Sequence, residues 1–291
     1  MTFSRARPQH RRLPHRGWQE AEISMTNSIL QIDDYDLTHF TDVAAGFGQK
    51  LYSYVVTPNA DHLIRLDDDP AFRTTYAEAG FVLLDSRLLS HIVRFTRGLR
   101  LPVCTGSDLT ANLFANVITA DDPIVLIGCS DKQASSLAKL YGLNRLAHLN
   151  PPMGFVHDAA SVEDVLRFVE LHSPFRFCFL AVGAPQQELL ASQLKQRGIA
   201  RGLALCVGAS INFITGEERR APSWIQHIGM EWMYRLMQAP GRLAHRYLVR
   251  CPRIFGLLRH ITIALRPAMI APLVRTPPSS FLEGSARTVL H

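Results

Sequence analysis

One carboxylate in this chain follows an apolar segment in the way that a catalytic base would. Asp85 comes directly after the apolar residues Phe81–Leu84. A carboxyl group at the end of a buried strand is partly desolvated, which raises its pKa toward the range that a general base needs. Asp is also among the commonest helix N-cap residues, so Asp85 could instead cap a helix that starts near Arg87. The sequence leaves both roles open.

A second segment combines the features of an anion-binding turn. Residues 183–188, with the sequence Gly-Ala-Pro-Gln-Gln-Glu, follow the apolar run 177–182. Such a turn lets the backbone approach a ligand, and the helix that follows directs free N–H groups and the positive end of its dipole toward it. A diphosphate would fit there. The alternative is an ordinary strand-to-helix turn with Pro at the first helical position.

Two polar loops are weaker candidates for binding. Thr57-Pro58-Asn59 follows an apolar run, and Gly106-Ser107-Asp108 stands at the entry of a predicted helix. In open α/β sheets, ligands bind beyond the carboxyl ends of the strands, where we expect the first loop. Each loop also has a plain structural interpretation, the first as a turn and the second as a helix N-cap.

The sequence predicts neither a metal site nor a cofactor. The acidic run 67–69 could form a DxD metal site of the kind found in many sugar transferases. It precedes Pro70 at a helix entry, however, which favours a solvated helix cap. The histidines form no HExxH motif and the five cysteines no CxxC pair, so zinc is not expected. The absence of GxSxG, Walker lysine and GxGxxG motifs argues against hydrolases, nucleoside triphosphatases and NAD enzymes.

Composition predicts a globular protein that does not cross a bilayer. The chain has 291 residues, of which 47% are hydrophobic, enough for a sizeable core. Its formal net charge of +6 favours a polyanionic partner, which could be nucleic acid, anionic lipid or the phosphates of a nucleotide sugar. No run of about 18 uncharged apolar residues occurs. The widely separated cysteines indicate reduced thiols in the cytoplasm.

Short apolar runs alternate with helix-length segments, which predicts an α/β sandwich with a mostly parallel sheet. The expected strands are Tyr52–Val56, Phe81–Leu84, Ile124–Ile127, Arg145–Leu149, Phe177–Val182 and Leu203–Val207. We divide the chain into a basic arm expected to be disordered (1–26), an α/β core (27–216), a helical appendage (217–275) and a tail expected to be disordered (276–291).

The appendage has the features of a helix that lies on a membrane. Apolar residues recur at every fourth position and predict one continuous helical stripe, formed by Trp224, Ile228, Trp232 and Leu236. The arginines beyond it are expected to share one helical face, which comprises Arg242, Arg246, Arg250 and Arg253. An anionic leaflet would attract such a surface. The alternative is a basic nucleic-acid-binding or lipid-binding protein without catalysis, although no nucleic-acid-binding module is visible.

Taken in order, these motifs resemble the WecG/TagA/CpsF family of glycosyltransferases over about residues 50–250. Further segments that carry the resemblance are Leu84-Asp85, Val207-Gly208-Ala209, Arg220-Ala221-Pro222-Ser223-Trp224 and Glu231-Trp232-Met233-Tyr234-Arg235. The resemblance implies a Rossmann-like sandwich and the inverting transfer of a hexose from a UDP-sugar to a polyprenyl-diphosphate-linked saccharide, without a metal. The hexose would be of the glucose, N-acetylmannosamine or N-acetylmannosaminuronate type, for exopolysaccharide, capsule or cell-envelope polysaccharide.

The resemblance also implies roles for individual residues. Asp85 would be the base, assisted by Thr57, and Arg220 and Arg235 would hold the diphosphate and close the site. The full substrate-binding set would be Asn59, Gly106, Ser107, Asp108, Gly183, Ala184, Gln187, Glu188, Arg220 and Arg235. The implied partners are the UDP-hexose, the lipid-linked acceptor and the anionic inner leaflet, but not nucleic acid. The enzyme would then be cytoplasmic and peripherally attached to the membrane, and homo-oligomerisation is left open.

Three positions depart from the family's pattern. Ser86 follows Asp85 where Gly is usual, Val103 stands where an Arg is common, and Asn212 stands where an Asp is frequent. These departures indicate a divergent member with a different donor or acceptor.

Overall fold

The computed structural model describes residues 29–268, except for the side chains of Ile29 and Arg242. The arm predicted at 1–26, the tail predicted at 276–291 and the end of the predicted appendage lie outside the described residues. The predicted place of Arg242 on a basic face lies outside them too.

A six-stranded parallel sheet forms the centre of the molecule, in the order β3-β2-β7-β6-β4-β5. Its strands are β2 (Tyr52–Val56), β3 (Phe81–Val82), β4 (Ile124–Ile127), β5 (Leu146–Leu149), β6 (Phe177–Leu180) and β7 (Gly202–Cys206). Every residue of β4, β6 and β7 is buried, as expected for strands covered by helices on both faces. The predicted α/β fold and the six predicted strands are confirmed; two strands have the predicted ends, and the ends of the other four differ by one or two residues.

Helices cover both faces of this sheet. In chain order they are α1 (Leu37–Gly46), α2 (Ala60–Asp68), α3 (Pro70–Glu78), α4 (Arg87–Arg97), α5 (Gly106–Asn116), α6 (Asp131–Tyr141), α7 (Ala159–Leu171), α8 (Gln186–Arg197), α9 (Ser210–Ile214), α10 (Ser223–His227), α11 (Glu231–Gln238), α12 (Pro240–Ala244) and α13 (Ile254–Leu257). Shorter turns of 3-10 helix occupy Phe155–His157 and Cys251–Arg253, and a π-helical segment occupies His245–Arg250.

Alternate residues of each strand enter two separate hydrophobic cores. On β2, Val56 packs into the core beneath α2, α4 and α8, whereas Val55 packs into the core beneath α1, α5 and α6. This alternation follows from the two-residue period of a strand. Since both faces are filled, the free edge for a ligand is the one at the carboxyl ends of the strands.

Two strands outside this sheet were not predicted. The strand β1 (Ile29–Asp33) pairs in parallel with β8 (Thr262–Arg266) as a separate two-stranded sheet. Strand signals were expected to end after Gly216, and the charge of Arg266 obscures β8 in the sequence. That charge is neutralised by Asp33, which is buried and also accepts a hydrogen bond from the Val82 backbone N–H at 2.7 Å.

The predicted continuous stripe in the appendage is wrong. Helix α10 ends at His227, before Gly229, whose φ of 76° belongs to the left-handed region, and α11 begins only at Glu231. A side chain at Gly229 would also meet the Leu88 backbone at 2.9 Å. As a result Trp224 and Ile228 are exposed, whereas Trp232 faces a cavity.

Candidate active site

A cavity of about 650 Å³ lies where the strand ends meet the C-terminal segment. Its core wall contains residues that follow four strands, namely Thr57, Asn59, Asp85, Gly183, Ala184, Val207 and Gly208. Its second wall comes from α11, the π-helical segment and α13. Five arginines line the cavity, which are Arg65, Arg87, Arg235, Arg246 and Arg250, against three acidic residues, which are Asp61, Asp85 and Glu231. The excess of positive charge favours an anionic ligand.

Asp85 is available for chemistry, because a neighbour caps the helix that it might have capped. The Ser86 hydroxyl accepts the Leu89 backbone N–H at 3.1 Å and is the N-cap of α4. The capping alternative for Asp85 is therefore wrong. Burial raises the pKa of Asp85 to about 7, and the nearby carboxylate of Glu231 adds to this, although Arg235 opposes it. The Asp85 backbone is held in place by a 2.9 Å hydrogen bond to the Pro58 carbonyl.

The predicted loop at Thr57 and Asn59 lies in the cavity wall, and its side chains also hold the local structure. The Thr57 hydroxyl donates to the Cys206 carbonyl at 3.3 Å, which ties β2 to β7. The Asn59 side-chain oxygen caps α2 by accepting the Asp61 backbone N–H at 3.0 Å. It also accepts from Arg246 at 3.4 Å, which connects the two walls of the cavity.

Only Ser107 of the predicted Gly106-Ser107-Asp108 site lines the cavity. Gly106 packs against Thr57, and a side chain there would approach the Thr57 hydroxyl to 3.2 Å. The Asp108 carboxylate is occupied by Arg87 at 2.8 Å and Arg220 at 2.6 Å.

Asp108 and Arg220 were predicted to bind substrate, but neither lines the cavity. Their ion pair joins α5 to the segment before α10. The Arg220 Nε has no hydrogen-bond partner among the described residues, so its contact with substrate stays a prediction. Neither Asp108 nor Ser107 is the N-cap of α5. The Thr105 hydroxyl caps it by accepting the Asp108 backbone N–H at 3.0 Å.

The turn at 183–188 divides between the cavity wall and the protein interior. Gly183, with φ of 83°, and Ala184 line the cavity. The Gln187 amide also lines it but is engaged twice, since it accepts the Gly208 N–H at 2.9 Å and donates to Glu188 at 2.8 Å. Glu188 is fully buried outside the cavity wall, and burial raises its pKa to about 7. Gln187 therefore fixes the loop after β7 from within the cavity wall.

The arginines of the π-helical segment point inward. The Arg246 Nε lies 3.4 Å from Asp61, and an Arg250 Nη lies 3.3 Å from the same carboxylate. Arg65 approaches Asp61 at 3.3 Å. Burial opposes ionisation of Asp61, yet the charges of the three arginines together hold its pKa below the ordinary value.

The prediction of an outward basic face is therefore wrong for Arg246 and Arg250, whereas Arg253 is exposed. Arg246 and Arg250 are drawn to the buried Asp61 carboxylate, and Arg253 forms a two-bond pair with Asp68 at 2.7 and 2.9 Å. Within the acidic run, Asp69 caps α3 as predicted, whereas Asp68 ends α2 and pairs with Arg253.

Two side chains of α11 carry polar atoms that have no hydrogen-bond partner among the described residues. Arg235 lies over the Phe213 ring at 5.1 Å with its Nε unpartnered, and its Nη2 is 4.0 Å from Glu218. Trp232 packs on Tyr247 with its Nε1 unpartnered. Both side chains line the cavity. Buried donors of this kind are costly unless a ligand or water completes them.

Sequence reasoning missed the first turn of α2. Asp61 and His62 both line the cavity. Burial lowers the pKa of His62 to about 4, and its Nδ1 lies 3.2 Å from both the Thr57 carbonyl and the Tyr76 hydroxyl. The four-residue spacing of Asp61 and Arg65 is a typical helical ion pair and was a usable signal.

The positions that depart from the family pattern have local explanations. Ser86 gains a capping role, and Val103 packs against the hydrophobic core. The Asn212 amide accepts from Gln133 at 2.8 Å and donates to Glu218 at 3.2 Å, two contacts that an Asp could not make together.

Residues 29–268 lack both a cluster of metal-binding side chains and a membrane-spanning helix. No group of three or more metal-binding side chains occurs there. None of the helices in that range is long and apolar enough to cross a bilayer.

The arrangement of one carboxyl group with a raised pKa opposite several arginines agrees with a comparison to known protein families. The model described as "Glycosyl transferase WecG/TagA/CpsF family" matches residues 28–266, which include the whole cavity. The chain therefore belongs to the WecG/TagA/CpsF family of glycosyl transferases.

Proposed function

We propose that this glycosyltransferase of surface-polysaccharide synthesis moves a hexose from a UDP-sugar to a polyprenyl-diphosphate-linked saccharide, with inversion at the anomeric carbon. The observation that carries the proposal is the joining in one cavity of Asp85, whose pKa is raised to about 7, and an excess of arginines. A base for the acceptor and positive charge for the leaving diphosphate are the two requirements of this reaction.

In the proposed reaction an acceptor hydroxyl attacks the anomeric carbon of the donor. Asp85 removes the hydroxyl proton as the new carbon–oxygen bond forms. The bond between the anomeric carbon and the diphosphate oxygen breaks at the same time, and UDP leaves with the electron pair. A pKa near the working pH leaves much of Asp85 ionised and still basic enough to take the proton.

The arginines of the second wall are proposed to bind the diphosphate. Arg246 and Arg250 already face a carboxylate, Asp61, so their geometry suits an anion. The unpartnered Nε of Arg235 can donate to a phosphate oxygen. With this much charge from side chains, we propose that no metal is needed for leaving-group departure. Gly183 and Ala184 would allow the donor to approach the backbone at the start of α8.

We also propose that the protein works at the cytoplasmic face of the membrane, where its acceptor would be anchored. Support comes from the large apolar side chains that the C-terminal segment exposes, which include Trp224, Ile228, Met237, Leu248 and Phe255. Side chains of this kind enter the boundary region of a bilayer.

A panel of UDP-sugars tests the proposal. The purified protein is incubated with each donor and a synthetic, short-chain polyprenyl-diphosphate-linked sugar, and UDP release, product mass and anomeric configuration are measured. We expect UDP release that requires the acceptor, a product larger by one hexose, inversion, and activity that survives EDTA. If no donor gives acceptor-dependent UDP release from folded protein, the proposal fails. Loss of activity in EDTA with recovery on adding Mg²⁺ contradicts the metal-free step alone.

A further inference from the structure

An exposed apolar and basic surface lies on the α/β core, outside the appendage. Phe95 of α4 is 92% exposed, and Arg94 and Arg97 beside it are exposed as well. A large apolar side chain with this exposure is uncommon on a monomeric soluble surface when others lie close to it.

Helix α4 is joined to the two C-terminal elements that also expose large apolar side chains. The His91 ring nitrogen lies 3.1 Å from the His227 carbonyl at the end of α10, and Gly229 packs closely against Leu88. At the other end of α4, Arg97 donates to the Leu258 carbonyl beside α13. We call the surface formed by α4, α10 and α13 the α4 face. Its exposed apolar side chains are Phe95, Trp224, Ile228 and Phe255.

The α4 face is built from segments that contain no acidic residue. The sequence has 25 Asp and Glu residues, yet none occurs within 86–107, 219–230 or 232–268. Arginines are frequent in the same segments. Acidic side chains do reach the edge of this face, since Asp67 and Asp68 of α2 lie beside α13. The helices of the face themselves combine exposed aromatic groups with positive charge, which is complementary to an anionic lipid bilayer. An anionic bilayer disfavours acidic residues everywhere on the contacting surface. A protein partner would give no comparable reason for their absence from three separate segments.

The same helices form an apolar part of the cavity wall. Leu88 and Ile92 of α4 line the cavity, as do Ile254 and Phe255 of α13. Phe255 is 61% exposed and therefore belongs both to the cavity and to the α4 face. A lipid chain attached to an acceptor in the cavity would meet these four apolar side chains.

We propose that the α4 face is the surface on which the protein rests on an anionic bilayer, with Phe95 as its central apolar anchor. The occupant is the lipid surface itself. The inference rests on the proposed function in one respect, since a lipid-linked acceptor gives the bilayer contact its purpose. It differs from a membrane role of the appendage alone, because α4 lies in the α/β core and places the cavity opening at the lipid.

Vesicle binding by the full chain tests the proposal without any assay of activity. Binding to vesicles of phosphatidylglycerol and phosphatidylcholine, and to vesicles of phosphatidylcholine alone, is measured by sedimentation. We expect Phe95→Ser to weaken binding to both about tenfold, which corresponds to about 1.4 kcal/mol. Arg94→Glu should weaken binding to the anionic vesicles about tenfold and leave the neutral ones unchanged. Leu171→Ser is the matched control, because Leu171 is 80% exposed at the end of α7, beside the start of β6.

Several outcomes would overturn the inference. The first is unchanged vesicle binding by Phe95→Ser, and the second is an equal loss of binding in Leu171→Ser. The third is self-association of the wild-type protein that Phe95→Ser abolishes, which would assign the face to a second copy of the chain. As a second measurement, Phe95→Trp should show blue-shifted fluorescence and quenching by bromolipids when vesicles are added. Turnover of a short water-soluble acceptor should be unchanged in Phe95→Ser. If no acceptor is ever turned over but Phe95→Ser loses vesicle binding, the proposed function fails and the membrane surface stands.

Discussion

The two walls of the cavity differ in how fully their polar groups are satisfied. On the core wall, Asn59, Ser86 and Gln187 are hydrogen-bonded to backbone groups that they hold in place. On the C-terminal wall, the side chains of Trp232 and Arg235 keep buried donors without a hydrogen-bond partner among the described residues. These three side chains of the core wall are thus hydrogen-bonded within the protein, although Asp61 Oδ1 has no such partner in the described part of the chain, whereas the C-terminal wall keeps donors that a ligand could complete.

This difference assigns different tasks to the two walls. A buried donor without a partner costs about 1–3 kcal/mol, which a bound anion would recover. Substitutions on the C-terminal wall should therefore act mainly on donor binding. On the core wall, Asp85 should act on the chemical step.

The largest effect is expected from Asp85→Asn. The amide cannot accept the acceptor's proton but has nearly the same size, so kcat should fall by about a hundredfold or more. Steady-state kinetics with saturating donor and acceptor measure this. Asp68→Asn serves as the control, because it removes a carboxylate outside the cavity. A kcat within about threefold of the wild type would remove Asp85 from the role of base.

Next in size is Arg235→Gln, which should raise the KM of the donor by about thirtyfold, since it removes a charge-assisted contact to phosphate. The acceptor KM should change little. Arg253→Gln is the matched control, because Arg253 pairs with Asp68 and does not line the cavity. Equal losses in the two variants, or a fall in kcat alone, would contradict the division of tasks between the walls.

A pH profile probes Asp85 in the unmodified protein. Because the pKa of Asp85 is about 7, its ionised fraction and therefore kcat/KM should rise about tenfold between pH 6 and pH 8. A flat profile over this range would contradict a base of this kind.

The same raised pKa gives an opposite trend in stability. Between about pH 4 and 7 the folded state keeps the Asp85 proton, whereas the unfolded chain has lost it. The contribution of Asp85 to the free energy of unfolding is therefore greatest below pH 4 and is lost as the pH rises through 7. Asp85→Asn lacks this loss and should gain stability relative to the wild type between pH 5 and pH 8. Thermal unfolding at both values measures the difference.

The smallest effect is expected from Asp61→Asn. This variant tests the contact between the two walls, where Asp61 of α2 meets arginines of the π-helical segment. Loss of this carboxylate leaves Arg246 and Arg250 without the charge that orients them, so donor KM should rise about threefold while kcat stays unchanged. Limited proteolysis should also cleave the segment after Gly216 sooner. Asp69→Asn is a suitable control because its carboxylate only caps α3. Tighter donor binding in Asp61→Asn would mean that Asp61 competes with the donor for Arg246 and Arg250 and does not orient these arginines toward it.

The core wall could be predicted because its signals are local. Asp85 and the turn at 183–188 each follow an apolar run, and a parallel sheet brings such ends to one edge. The C-terminal wall could not, because its geometry depends on contacts between distant residues. Arg246 and Arg250 turn inward only because Asp61, far away in the sequence, is buried beneath them. The break at Gly229 and the π-helical turn at His245–Arg250 also alter the helical phase that a regular period assumes.

The pairing of β1 with β8 makes the second wall of the cavity a closed loop instead of a free tail. Residues between Gly216 and Thr262 are fixed at both ends, so their arginines are held near the strand ends at a high effective concentration. Asp33 secures this closure, since it binds Arg266 of β8 and the backbone of β3 together. A chain ended at Gly216 would bury that carboxylate without its cation. We therefore expect loss of the second wall to destabilise the core as well.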